Sequence, residues 1–375
     1  MYKHPAIINN YRTGLYKEPR LGLRNIIAYS ENMGNLVFLE AIGSQIKNCT
    51  PINIDTDFLQ RPEWFTQQYD VLILPMANMV SSTWSSPELL TAIEISSTPV
   101  ILISIGLQVE TEKQFQTMIL SKDAQRLLHL AETRSISIGV RGERTAEFLR
   151  TKGYGNIEVI GCPSLFGAAL PRHRQTSEIA KIATHATLHD TWKERLQDLF
   201  IFSSRYASAY IAQDEFQFLA DRYAVSIEEL SNWIIDPLRL KAAIDREYLY
   251  NSYSKDEQSA KEFRSWISSH LTYFTDPDTW KMYLSDFDFV VGTRFHGNVM
   301  ATLAGVPSLL LTTDLRVQEL AEYHKLPHMP IEYLNSSSTP ESLFSRIDYT
   351  EYQKSLPKAK ETYRQFLIKN GLEPA

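Results

Sequence analysis

An arginine and a histidine two positions apart, Arg294 and His296, carry the clearest chemistry in this sequence. Arginine offers a planar, permanently charged fork that suits a phosphate or a carboxylate. Histidine can donate or accept a proton near neutral pH. Together these residue types predict a site that binds an anion and transfers a proton, with Arg294 and His296 as its catalytic residues. The alternative is structural: the arginine pairs with a nearby carboxylate, and the histidine caps a helix or packs.

The residues around this pair predict that it lies where a strand gives way to a helix. The run 289–291 is aromatic and β-branched and ends at Gly292, as buried strands do. Apolar residues then recur every four positions, along one face of a helix, at Phe295, Val299 and Leu303. Open α/β sheets bind ligands at this edge, and helix N-termini favour anions. We therefore expect Thr293 and Gly297 to contact a substrate as well.

Similar strand ends elsewhere in the chain supply further candidate binding residues. A loop before a predicted helix carries Asn32, Gly34 and Asn35, whose asparagines cap the helix, contact a ligand, or do both. Gly106 closes one apolar run, and another delivers Arg141 to the following loop.

Two more candidates follow the last strand expected in the second half. Asp314 and Arg316 come directly after the apolar run 308–311, and so belong to the same ligand-binding edge. We expect both to line the cleft.

Apolar runs and amphipathic stretches alternate along the chain, which predicts doubly wound α/β domains. Because 375 residues exceed one ordinary core, we expect one domain over 1–168 and another over 169–348. A terminal helix within 349–375 is expected to pack back on their junction. Residues 1–22 are read as a surface arm. The expected strands are 23–29, 51–54, 70–75, 99–106, 135–141, 157–160, 199–203, 209–213, 289–291 and 308–311. The aromatic stretch 225–282 is expected to be helical.

Composition excludes several classes of protein. The net charge is −6, with acidic and basic residues mixed, which argues against a nucleic-acid binder. Cys49 and Cys162 are the only cysteines, so no disulfide framework is indicated. His173, His185 and His189 fit no compact metal motif, and no metal is expected. Because no signal peptide or membrane-length apolar run is present, we expect a cytoplasmic protein that can still touch a membrane surface.

Four segments resemble, in order, the motifs of the polysaccharide pyruvyl transferase family. They are Asn32-Met-Gly-Asn-Leu-Val-Phe-Leu-Glu-Ala-Ile42, Ser137-Ile-Gly-Val-Arg-Gly-Glu-Arg144, Gly161-Cys-Pro-Ser164, and Gly292-Thr-Arg-Phe-His-Gly297 followed by Ala304-Gly-Val-Pro-Ser308. The last is the most specific. Asn35, Gly142 and Cys162 stand where the family commonly has aspartate.

This resemblance implies a GT-B-like fold, with two Rossmann-like domains facing across a cleft. It implies phosphoenolpyruvate as co-substrate, no further cofactor, and a glycan acceptor, which could be lipid-linked, nucleotide-linked or polymeric. Pyruvate would be installed as a ketal on two hydroxyls, and phosphate released. Arg141, Arg294 and His296 match family positions implicated in donor binding and catalysis. Two alternatives remain: a GT-B glycosyltransferase using a nucleotide sugar, and a non-catalytic glycan-binding protein.

Overall fold

A computed structural model of the protein describes residues 1–8, 19–29, 32–167, 179–188 and 192–375. Residues 9–18 of the expected arm, much of the expected interdomain connection, and His173 and His189 lie outside these ranges. Within them, the paired strands are all parallel. The strands are β1 (Pro5–Ile8), β2 (Thr50–Ile52), β3 (Val71–Leu74), β4 (Val100–Leu102), β5 (Ile138–Val140), β6 (Ile157–Val159), β7 (Ile182–His185), β8 (Ala209–Ala212), β9 (Leu271–Tyr273), β10 (Phe289–Gly292), β11 (Ser308–Thr312) and β12 (His328–Pro330).

Helices cover both faces of the sheets. Those in the first half are α1 (Pro19–Tyr29), α2 (Met33–Ser44), α3 (Phe65–Gln68), α4 (Pro87–Ser96), α5 (Glu112–Thr117), α6 (Lys122–Arg134) and α7 (Glu143–Thr151). Those in the second half are α8 (Lys193–Tyr206), α9 (Phe216–Arg222), α10 (Ile227–Trp233), α11 (Pro237–Ile244), α12 (Arg246–Ser252), α13 (Glu257–His270), α14 (Pro277–Leu284), α15 (Phe295–Leu303), α16 (Leu315–His324), α17 (Pro340–Phe344) and α18 (Thr350–Lys369).

The first sheet has the strand order β2-β1-β3-β4, and a bridge between Ile105 and Val140 joins the β5-β6 pair to it. The expectation of a strand at 23–29 is wrong, because this stretch belongs to α1. Leu23, Ile26 and Ile27 are buried at helical spacing within an apolar cluster of the second domain. The strand that the sequence analysis placed there is β1, inside the expected arm.

The second sheet has the order β12-β11-β10-β7-β8-β9. Numbered from β7, this is the order of dinucleotide-binding α/β domains, with the topological switch point between β7 and β10. The expected strand at 199–203 is instead part of α8, whose apolar run reads like a strand because much of its surface is buried. The stretch 225–282 is mainly helical but also contains the short edge strand β9.

The two domains are held together by a shared core and by the C-terminal helix. One apolar cluster includes Ile73 and Ile101 of the first sheet with Val290 and Leu310 of the second. After α18, the Asn370 side chain accepts the backbone N–H of Ser137 at 3.0 Å, so the chain ends against the first domain. Two Rossmann-like domains therefore face each other across a cleft, which is the GT-B-like arrangement expected from the sequence.

Candidate functional site

A cavity of about 670 Å³ lies between the domains and is lined by residues from both. It is reached by the loops that follow β5, β7, β8, β10 and β11, so it lies at the carboxyl ends of parallel strands. Of the candidate residues named from the sequence, the lining includes Asn32, Asn35, Arg141, Thr293, Arg294, His296, Asp314 and Arg316. Three glycines, Gly34, Gly106 and Gly297, pack behind this wall instead.

The loop between β10 and α15 is fixed by hydrogen bonds to the neighbouring strand β7. Thr293 donates its backbone N–H to the carbonyl of His185 at 3.2 Å, and its Oγ1 accepts the N–H of Thr187 at 2.8 Å. The imidazole of His185 accepts the backbone N–H of Arg294 at 3.2 Å. These bonds hold the loop after β10 against the loop after β7.

Gly297 is required by the packing of His185 and does not contact the cavity. A Cβ on Gly297 would lie 2.4 Å from the Nε2 of His185. Burial, followed by the charge of Arg294, lowers the pKa of His185 to about 3, so its ring is neutral. We expected Gly297 to contact a substrate, and the structure gives it a packing role.

Arg294 is held by carboxylates, contrary to the expectation that it grips a donor anion. Its guanidinium donates to both oxygens of Asp214 and, from Nη2 at 2.7 Å, to Oε1 of Glu215, while Nε also donates to the carbonyl of Ala186 at 2.8 Å. Burial alone would lower the pKa of Arg294, but Asp214 and Glu215 outweigh it and raise the pKa. The structural alternative stated for this residue fits better, because two carboxylates already balance its charge.

Glu215 is the centre of this cluster, and sequence analysis did not select it. Its side chain is fully buried and also accepts the backbone N–H groups of Gln213 and Asp214, at 2.6 and 3.1 Å. Burial raises the pKa of Glu215 despite the opposing charge of Arg294. The signal was visible: an acidic pair directly follows the predicted strand 209–213, at the ligand-binding edge.

Arg141 reaches the cavity from the first domain in a different electrostatic setting. Its Nε donates to the carbonyl of Ser104 at 3.0 Å, and its Cζ lies 5.4 Å from the centre of the Phe38 ring. No carboxylate lies within ion-pair distance of it among the described residues. Burial, with a contribution from Arg316, lowers the pKa of Arg141 to about 10. Gly106 makes this position possible, since a Cβ there would lie 2.9 Å from Cδ of Arg141.

His296 lies half-buried in the cavity wall at the first turn of α15. Its Nε2 is 3.7 Å from Sγ of the buried Cys162, and its ring centre is 6.2 Å from that of Phe38. Burial, then the positive charges of Arg141 and Arg316, lowers the pKa of His296 to about 3. The imidazole is therefore neutral in the unliganded protein.

Asp314 and Arg316 line the same cavity from the start of α16. Oδ1 of Asp314 caps this helix by accepting the N–H of Val317 at 2.7 Å, and Oδ2 lies 3.3 Å from Nη2 of Arg316. Hydrogen bonding orients the Asn78 amide so that its oxygen accepts from Nη1 of Arg316 at 3.1 Å. Arg316 therefore carries the second guanidinium of the positive end of the cavity, beside Arg141.

The Asn32 loop is the contact between α2 and the second domain. Asn32 caps α2 by accepting the N–H of Gly34 at 2.9 Å, and it also lines the cavity, so both roles considered from the sequence are compatible with its position. A Cβ on Gly34 would lie 2.6 Å from Oε1 of Gln213 and 3.0 Å from Cβ of His296. Gly34 thus allows α2 to approach Gln213 and the N-terminus of α15.

A second cavity of about 450 Å³ adjoins the first and shares Asn35, Ala77 and Asn78 with it. Its other lining residues are mostly apolar, among them Phe38 and Trp84. The cleft thus has a charged end and an apolar end. Across the described ranges, no cluster of three or more His, Cys, Asp or Glu residues has the arrangement of a metal site.

The fold and this cleft define a two-domain α/β protein with an arginine-lined cavity between the domains. The family model for polysaccharide pyruvyl transferase matches residues 32–314, which is more than half of the chain, and the protein belongs to this family. The resemblance seen in the sequence motifs is thereby confirmed. No curated protein matches the chain by sequence.

Several solved structures are similar along most of the chain. UDP-GlcNAc 2-epimerase from Neisseria meningitidis, bound to UDP-GlcNAc, is 13% identical over 98% of this chain and 99% of its own, with a TM-score of 0.48. UDP-N-acetylglucosamine 2-epimerase from Rickettsia bellii is 10% identical over 98% and 96%, with a TM-score of 0.47. The lipopolysaccharide outer core galactosyltransferase WaaB is 11% identical over 98% and 99%, with a TM-score of 0.40.

A membrane-spanning helix needs about 20 mostly apolar residues. No helix in the described ranges is both long and apolar enough to cross a bilayer.

Proposed function

We propose that the protein transfers the pyruvyl group of phosphoenolpyruvate to two hydroxyls of a glycan, forming a cyclic ketal and releasing phosphate. The observation that supports this most directly is Arg141, a buried guanidinium in the wall of the interdomain cavity. In the described part of the chain it has no carboxylate partner, and Arg316 lies beside it. Burying such a charge is costly unless an anion compensates it. A donor that carries both a phosphate and a carboxylate supplies that compensation.

The donor is placed at the charged end of the cavity, between the two domains. Arg141 and Arg316 would hold its phosphate and carboxylate, and Thr293 lines the same cavity, next to the N-terminus of α15. Arg294 is not part of this grip. It keeps Asp214 and Glu215 in place, and Asp214 in turn offers a carboxylate oxygen to the cavity.

His296 is the proposed general acid. A proton added to C3 of the donor makes C2 electrophilic. One sugar hydroxyl then attacks C2 and gives its proton to Asp214, a carboxylate in the cavity wall. The C2–O bond to phosphate then breaks with its electron pair on the phosphate oxygen. The second hydroxyl attacks C2, gives its proton to the departing phosphate and closes the ketal. Because a bound dianion offsets the charges of Arg141 and Arg316, it raises the pKa of His296 and lets the ring carry the proton.

The acceptor is placed in the second cavity, which opens from the first beside Asn35 and Asn78. Amide groups at this border can bind sugar hydroxyls, and the Trp84 and Phe38 walls can pack against the apolar faces of a sugar ring. This arrangement directs the hydroxyl pair toward C2 of the donor.

Incubation of the purified protein with phosphoenolpyruvate and a panel of lipid-linked, nucleotide-linked and polymeric glycans in D₂O tests the proposal. We expect phosphate release only when a suitable glycan is present, and a ketal methyl group that carries one deuterium, because C3 is protonated from an exchangeable acid. His296→Gln and Arg141→Met should lower the rate by about 10²-fold or more. Arg144→Gln, at a partly buried arginine one turn away that pairs with Glu112, is the matched control.

Two results would contradict the proposal. The first is the absence of phosphate release with every glycan of the panel. The second is thermal stabilisation by a nucleoside diphosphate but not by phosphoenolpyruvate, which would favour a glycosyltransferase that uses a nucleotide sugar.

A further inference from the structure

The N-terminus of α7, which follows Arg141, lacks a capping side chain of its own. Gly142 occupies the position where Ser, Thr, Asp or Asn usually accepts a free N–H of the first turn. The acceptor comes instead from α16 of the second domain. The N–H of Thr145 donates to Oε1 of Glu319 at 2.7 Å, and Oγ1 of Thr145 donates to Oε2 at 2.9 Å. Both carboxylate oxygens of one domain thus cap a helix of the other.

Gly142 and Glu319 fit each other sterically. A Cβ on Gly142 would lie 2.2 Å from Cγ of Glu319 and 2.7 Å from its Oε1. The backbone at Gly142 is extended, with φ of −167°, a conformation that any residue adopts. The glycine is therefore required by the space that Glu319 occupies, and not by the local backbone conformation.

Thr145 connects this contact to the residues that hold Arg141. Its Oγ1, which donates to Glu319, also accepts the N–H of Leu107 at 3.1 Å. Leu107 follows Gly106, whose missing side chain leaves room for the stem of Arg141. Arg141 itself donates its backbone N–H to the carbonyl of Ile105 at 3.0 Å. Glu319 is thus linked through one threonine to both segments that surround Arg141.

The helix that carries Glu319 also carries part of the cavity. Arg316 and Leu320 line the cavity from α16, while Glu319 points to α7 and is buried. At the end of the same helix, Nε2 of His324 accepts the N–H of Cys162 at 2.8 Å. The packing of α16 on the first domain therefore positions Arg316 and also caps α7, the helix that follows Arg141.

We infer that Glu319 is a positioning residue that acts across the domain interface: by capping α7 in place of a side chain at position 142, it fixes Arg141 for the donor anion. The part concerning the donor rests on the proposed function, whereas the interdomain cap does not. If the domains separate, α7 loses its cap and Arg141 loses its support together. Binding of the donor and docking of the domains are thereby coupled.

A cycle of variants tests this inference by moving the capping carboxylate back into α7. Glu319→Ala removes the cap, and Gly142→Asp alone places a second carboxylate against Glu319. Each single variant should lower the unfolding midpoint. Each should also raise the KM for phosphoenolpyruvate about tenfold, with less effect on kcat. In the double variant, the aspartate can accept the N–H of Thr145 in the space that Glu319 vacates. We expect its unfolding midpoint to return to within a few degrees of the wild-type value, and its KM to within about threefold.

Two controls keep the inference falsifiable. Glu319→Gln preserves shape but loses one acceptor, and it replaces Glu319→Ala should that variant fail to fold. Glu322→Ala, on the same helix, should leave the KM unchanged. A double variant no better than the worse single variant would overturn the inference, and so would a lowered midpoint with an unchanged KM. If the wild type shows no turnover or binding of phosphoenolpyruvate, the proposed function fails, while rescue of the unfolding midpoint still decides whether the interdomain cap exists.

Discussion

Arg141 and Arg294 reach the same cavity from opposite domains, but only Arg294 meets carboxylates there among the residues that the structure describes. Asp214 and Glu215 balance the charge of Arg294, while Arg141 has a backbone carbonyl and the face of Phe38. The two arginine side chains therefore have opposite energetic roles. One completes a buried ionic cluster, and the other is a buried charge without a carboxylate partner among the described residues.

This difference predicts opposite outcomes for removing the two charges. Arg294→Gln leaves two carboxylates without their cation, one of them fully buried, and should lower the free energy of unfolding by about 3–5 kcal/mol. Arg141→Met removes a desolvated charge and one hydrogen bond, so the free energy of unfolding should fall by no more than about 1 kcal/mol. Urea unfolding measures both values, with Arg144→Gln, at an arginine paired with Glu112, as control.

The same two variants should differ in ligand binding. Arg141→Met is expected to lose stabilisation by phosphoenolpyruvate while keeping its fold. If Arg294→Gln instead kept full stability and lost only donor binding, then Arg294 would grip the donor, and the role assigned here to Arg141 would be wrong.

Much of the fold could be predicted because buried parallel strands have a strong sequence signal. Val71–Leu74 is apolar throughout, since helices cover both faces of its sheet, and such runs located most of the strands. The same signal misled at α1 and at 199–203, because a helix buried on several sides also reads as an apolar run. Local sequence does not reveal that Leu23 and Ile27 pack on the second domain.

The candidate site was predicted to a similar extent. Most of the candidate residues chosen for their position at a strand end line the cavity, including Arg141, His296 and Arg316. That position could not tell which arginine has an acidic partner, because Asp214 and Glu215 come from a strand about 80 positions away. The glycines were predicted to contact a substrate because the residues that pack against them, such as His185 beside Gly297, are distant in sequence.

Gly297 and Gly43 offer a matched pair for the packing argument. In Gly297→Ala, the new methyl group meets the ring of His185 at 2.4 Å in a fully buried site, so the free energy of unfolding should fall by about 1–3 kcal/mol. In Gly43→Ala, the nearest atom is Cγ2 of Ile7 at 3.9 Å, and the helix should gain about 0.5–1 kcal/mol. Urea unfolding of both variants checks this, and equal stability of Gly297→Ala and the wild type would contradict it.

Buried neutral histidines should make the fold sensitive to acid. Burial, followed by the charge of Arg141, lowers the pKa of His324 to about 3 from an unfolded value of about 6.5. Between these two values the unfolded chain binds more protons than the folded one, so the free energy of unfolding falls as the pH is lowered. For each such histidine the expected slope is about 1.4 kcal/mol per pH unit.

His324→Gln isolates this contribution, because the glutamine oxygen can still accept the N–H of Cys162. Urea unfolding between about pH 4.5 and 5.5, below the unfolded pKa, should give a shallower slope for His324→Gln than for the wild type, by about one proton. His129→Gln, at an exposed position of α6, is the control for the substitution itself. Identical slopes for His324→Gln and the wild type would show that His324 is not held neutral.

His296 should take up a proton when the donor binds. In the free protein its pKa is lowered to about 3, by burial and by Arg141 and Arg316. A bound dianion offsets both arginines and raises this pKa, so donor binding should be accompanied by proton uptake and should tighten as the pH falls from about 7 to 6. Calorimetric titration in buffers of different ionisation enthalpy measures the uptake. His296→Gln retains any proton uptake by the donor itself, so the difference in proton uptake between this variant and the wild type is due to the imidazole. Equal proton uptake in the two proteins would mean that His296 does not hold the proton that C3 receives.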